Sequence, residues 1–104
     1  MKRQLLQSIP TEGLKNGTHL DVEIYYSKGG LGMFGGYSQR GYYVSVTPVK
    51  HSDGIVSFTL FTGVSKLLLE TSRYSEKQFK QAVAMSEAVI PGLIAKVLEQ
   101  ERAA

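Results

Sequence analysis

The chain has 104 residues, 42% of them apolar and 20% charged, a formal charge of +3 and no cysteine. That size and balance predict one globular domain over residues 1–104, able to bury a core without disulfides or metals. The absence of cysteine excludes a disulfide framework, thiolate metal ligation and a thiol nucleophile.

The N-terminus, from Met1-Lys2-Arg3 to Ser8-Ile9-Pro10, lacks the apolar stretch of a signal peptide. No uninterrupted apolar run approaches the roughly 18 residues of a bilayer span, so the expected location is cytoplasmic with no membrane partner. Gln4 to Ile9 is a candidate edge strand that Pro10 would end. Asn16-Gly17 signals a turn. From His19 to Tyr26 the chain alternates, with Leu20, Val22, Ile24 and Tyr26 on one side and His19, Asp21, Glu23 and Tyr25 on the other. This is the pattern of a half-buried strand. A second strand is expected from Gly41 to Val49, with Tyr42, Val44 and Val46 on its inner side. Asp53-Gly54 supplies a hairpin turn, and Ile55 to Thr62 returns as a third strand, its inner side carrying Val56, Phe58 and Leu60.

The inner face of this sheet needs a cover. Val64 to Glu70 reads as a short bridging helix. Ser75-Glu76-Lys77-Gln78 has the form of a capping box. Phe79, Ala82, Val83, Val89, Ile90, Leu93 and Val97 then follow at near-helical spacing. Pro91-Gly92 interrupts that run, and proline removes a backbone donor, so a kink or break is expected there. The predicted fold class is α+β: an antiparallel sheet of three to four strands, one face packed by a C-terminal helix kinked or broken near Pro91.

Lys28 to Gly41 concentrates glycine between two strands, flanked by Lys28 and Arg40. Gly30-Leu31-Gly32-Met33-Phe34-Gly35 matches the dinucleotide fingerprint in form, but a strand follows it where the fingerprint requires a helix. No Gly-Lys-Ser/Thr closes a phosphate loop either. Free N–H groups between two cations could cradle an anion. The segment reads either as a long, flexible hairpin connection or as a functional surface: Leu31, Met33, Phe34 and Tyr37 are costly to leave bare in a loop, so they either fold back onto the domain or form a contact surface for a partner. The candidate binding residues are Lys28, Met33, Phe34, Tyr37, Arg40 and Tyr43.

The run Lys28-Gly29-Gly30, Phe34-Gly35, Arg40-Gly41-Tyr42-Tyr43, Val46, Pro48-Val49 and Phe61-Thr62-Gly63 resembles a group of small uncharacterised bacterial proteins, some of them carried on mobile elements. The resemblance covers roughly residues 20–70. It implies that the glycine loop and the tyrosine pair are family features, and it carries no activity with it.

The remaining chemistry is sparse. His19 and His51 give no metal spacing and read as surface histidines, so no metal and no cofactor is expected. Asp21 and Glu23 share a strand face and read as solvated carboxylates that would repel phosphate. Arg73, Lys77 and Lys80 form a basic patch at the start of the helix. No nucleophile–base set marks an enzyme. The first half of the chain holds six Lys/Arg against three acids, whereas the second half holds six of each. The reading is a non-enzymatic interaction module, homodimeric, using the glycine-rich hairpin loop and an aromatic sheet face. The alternative is a single-stranded nucleic-acid-binding protein, because four strands followed by a helix is similar to the transcription-coactivator p15 class.

Overall fold

The computed structural model describes residues 3–31, 36–52, 55–58 and 63–102, with the backbone alone for 52 and 55–58. In chain order the elements are β1 (Arg3–Pro10), β2 (His19–Ser27), β3 (Gly30–Leu31), β4 (Tyr37–Ser38), β5 (Gly41–Ser52), β6 (Ile55–Phe58), β7 (Val64–Glu70) and α1 (Glu76–Arg102). The class is α+β. β1, β2, β5 and β6 form an antiparallel sheet in that order, and β7 pairs with β5.

β5 organises the sheet. One edge pairs with β2 along its length, from Tyr26↔Tyr42 to His19↔Val49. The opposite edge is shared: its first half takes β7, from Gly41↔Glu70 to Val46↔Val64, and its second half takes β6. The sheet is therefore four strands wide at both ends. Between the Val49↔Phe58 and Val46↔Val64 pairs, the described pairing along this edge of β5 is interrupted at Thr47 and Pro48. Pro48 stands at that interruption. The Val49 carbonyl accepts from Thr18 N on the β2 side, so the neighbouring Pro48 turns its nitrogen, which bears no hydrogen, to the other edge.

The segment Val64–Glu70 is thus a strand and not the expected short helix. Leu67, Leu68 and Leu69 suit either state by propensity, and pairing with the exposed edge of β5 decides between them. A register shift opposite Tyr42/Tyr43 turns both Leu68 and Leu69 toward the core. The expected pairing across Asp53-Gly54 is present as Ser52↔Ile55, whereas the expected burial of Phe58 falls outside the described side chains.

The inner face carries Leu20, Val22, Ile24, Tyr26, Tyr42, Val44 and Val46, all buried. α1 covers it with Phe79, Ala82, Ser86, Ile90, Leu93, Val97 and Glu101, spaced three or four residues apart. Ser86 is the polar member of the central stripe, and its hydroxyl donates to the Val83 carbonyl at 2.6 Å. α1 runs without a break through Pro91, so of the kink or break expected there the break does not occur. Pro91 is exposed, and the buried Ile90, Leu93 and Val97 hold the helix to the sheet on both sides of it. By length and composition α1 could also cross a bilayer, although no uninterrupted apolar run suggested it. Here its apolar stripe lies against the sheet.

Both helix ends are tied to the sheet layer. At the start, Ser75 Oγ accepts from Gln78 N at 3.1 Å, as a capping box requires. The Ser75 N–H, which Gln78 was expected to satisfy, instead donates to Tyr42 Oη at 2.8 Å. Tyr42 Oη in turn donates to the Ser75 carbonyl. At the far end, the buried Glu101 carboxylate accepts from Asn16 N at 2.8 Å and from Asn16 Nδ2 at 2.9 Å.

Candidate interaction surface

The glycine-rich segment continues the β2–β5 hairpin. Tyr25↔Tyr43 and Ser27↔Gly41 lead on to Gly30↔Ser38 and Leu31↔Tyr37 with no change of register. β3 and β4 therefore form a short ribbon projecting from one end of the sheet. Its root is fixed at Gly29, where φ is +70° and a Cβ would lie 2.6 Å from the Ser38 carbonyl oxygen, so only glycine fits. The Gly29 N–H donates to Ser27 Oγ at 3.1 Å, which removes it from the expected anion cradle.

Lys28 and Arg40 meet at this root, as their flanking positions suggested. Arg40 Nε donates to the Lys28 carbonyl at 3.0 Å and Arg40 Nη1 to the Ser72 carbonyl at 3.3 Å. Tyr37 stands on the ribbon at 75% exposure opposite Leu31 at 80%. Met33 and Phe34 lie outside the described residues.

Tyr43 belongs to the outer sheet face, two rows inward. It pairs with Tyr25 on one side and Leu67 on the other, and Arg3 pairs with Tyr25. The Tyr25 and Tyr43 rings stack at 5.6 Å, and the Arg3 guanidinium sits 4.6 Å from the Tyr25 centroid. Tyr25 thus has a partner on each ring face; Tyr25 and Tyr43 are half-buried and Arg3 is exposed. Burial raises the Tyr25 pKa above its ordinary value, opposed by its hydrogen bond with Ser65. The Tyr43 hydroxyl donates to the Gln39 carbonyl and so anchors the ribbon root to this row.

The carboxylates of the outer face are partnered. Glu23 pairs with Arg3 at 3.3 Å, and Asp21 accepts from Ser8 Oγ at 2.6 Å. His51 Nε2 lies 4.0 Å from Asp21 Oδ1, and the His51 ring stacks on His19 with centroids 4.0 Å apart. This histidine pair was not anticipated, although hairpin register carries the signal: with His19 opposite Val49, His51 is two residues along the same face. Arg3 and Leu67 were missed because their strands were uncertain or misassigned. Among the described residues, no three His, Asp or Glu side chains converge to hold a metal.

No protein-family model matches the sequence, and comparison with characterised proteins and with solved structures returns no match either.

Proposed function

We propose that this protein is a non-enzymatic binding module that forms a homodimer through the outer face of its sheet and offers the glycine ribbon to a partner. The observation that carries this reading is the one-sided cover of the sheet. α1 packs on the inner face alone, and no described element lies over the row Arg3, Tyr25, Tyr43 and Leu67. Leu5 on the same face is 53% exposed. A depression of about 470 Å³ between Arg3, Glu23, Thr47 and Val49 gives the face relief that a second copy can match. With Asp21 and Glu23 both partnered, two such faces can meet across a two-fold axis without opposing bare carboxylates.

A single-stranded nucleic acid on this same face fits less well. Base stacking needs a free ring face, and those of Tyr25 are taken by Arg3 and Tyr43. The test is solution mass by light scattering at micromolar concentration. The dimer reading expects twice the 11.4 kDa chain mass. A species of 11.4 kDa across the whole concentration range contradicts it.

A further inference from the structure

The positive charge of this molecule is gathered at the ribbon end. The fold divides along the row Glu23–Ser45–Ser65 and, on α1, between Ala82 and Ser86, where the two core clusters meet. Among the described residues, the ribbon side holds Arg3, Lys28, Arg40, Lys66, Arg73, Lys77 and Lys80, seven cations, against Glu23, Glu70 and Glu76, three carboxylates. On the far side four cations face five carboxylates. The described residues thus put a net charge of about +4 at one end and about −1 at the other. All seven cations of the ribbon end are exposed.

Three of these cations, Arg40, Arg73 and Lys77, border one groove. Arg40 reaches from the ribbon root to Ser72, and Ser72, Arg73, Tyr74 and Lys77 line an open groove of about 630 Å³ that continues to Gln81. The ribbon whose root Arg40 ties to this groove carries Tyr37, which, unlike Tyr25, is 75% exposed. Self-association centred here would set two like-charged ends against each other, so an isologous contact does not explain the surface.

We propose that the ribbon end binds single-stranded nucleic acid, with Arg73 and Lys77 meeting phosphates along the groove and the Tyr37 ring stacking on a base. This rests on the reading of the ribbon as a partner-binding surface and names the partner. An extended, open, cationic surface with an accessible aromatic ring suits a strand whose bases are unpaired. An acidic protein segment would use the cations and leave the ring idle, and a duplex would hide its base faces from Tyr37.

The test uses the full chain and a fluorescein-labelled thymidine oligomer of about 20 nucleotides, long enough to cover one site, read by fluorescence anisotropy over a salt series. Affinity should fall with salt, and the Arg73→Gln/Lys77→Gln double variant should flatten the log–log slope by about 1.4, from roughly 0.7 per lost phosphate contact. Tyr37→Ala should weaken binding about tenfold and leave the slope unchanged. Lys50→Gln/Lys96→Gln, at the far end, should leave both affinity and slope as they are. Light scattering on the same samples reports the dimer independently, so failure of one reading is separable from failure of the other. The proposal is overturned if the oligomer does not bind at low salt, or if the two double variants behave alike. It is equally overturned if a duplex of the same length binds as tightly, or if polyglutamate of matched charge competes as well as unlabelled oligomer.

Discussion

The Tyr42 hydroxyl is the residue on which sheet and helix meet. It accepts from Ser75 N and donates to the Ser75 carbonyl, so one phenol orients the residue that starts α1. Tyr42→Phe keeps the ring and its packing against Tyr26, Tyr74 and Phe79 but leaves the Ser75 N–H without that acceptor. Urea unfolding should show a loss of about 1–2 kcal/mol with an unchanged m-value. Tyr74, in the same cluster, gives a pH signature. Burial and the hydrogen bond and charge of Glu76 push its phenol up to about 12 from an ordinary 10.0. The folded state therefore holds this proton more tightly than the unfolded chain. Its contribution is complete below pH 10 and is lost as pH rises from 10 toward 12. Alkaline unfolding curves of Tyr74→Phe should accordingly be flatter across that window than those of the parent. Equal steepness would show that Tyr74 does not couple folding to pH.

At the scale of elements, α1 carries a proline in its interior and continues regardless. Pro91 forfeits the bond to the Glu87 carbonyl, and packing of Ile90, Leu93 and Val97 outweighs that cost. Pro91→Ala should restore the bond and stabilise the protein by about 1–3 kcal/mol, read as a rise in melting temperature. A fall would mean that the proline relieves a clash along the helix. The same element shows where sequence reading succeeds. The alternation of Leu20, Val22, Ile24 and Tyr26 and the three-four spacing from Phe79 to Val97 describe the core face on both layers, because burial there follows strand and helix periods directly. Val64–Glu70 was misread because a leucine triplet has no period of its own, and its state depends on an edge of β5 that becomes visible only once the sheet is built. Of the kink or break expected at Pro91, the break is absent for the related reason that tertiary packing overrides local propensity. The candidate site was partly legible. Lys28 and Arg40 were placed correctly at the ribbon root and Tyr43 on the outer face. The stacking of Arg3 on Tyr25 was not, because it requires the β1 register.

Over the whole molecule, three surfaces have different characters. The inner sheet face is consumed by α1. On the outer face Arg3 pairs with Glu23 and Ser8 hydrogen-bonds Asp21, and this is the face proposed to join two copies. The ribbon end is cationic and suits an anionic strand. The account therefore expects a dimer that leaves two ribbons free, one on each copy. Its central claim is that the outer face, and no other surface, joins the copies. Sedimentation equilibrium of Ser45→Glu against Lys96→Glu tests this most directly. Ser45 lies in the middle of the outer face, paired with Glu23 and Ser65, whereas Lys96 is exposed on the far side of α1. The account predicts that Ser45→Glu, by setting uncompensated carboxylates against each other across the interface, sediments as a folded monomer while Lys96→Glu remains dimeric. A Ser45→Glu protein that stays dimeric, or a Lys96→Glu protein that dissociates, would contradict it.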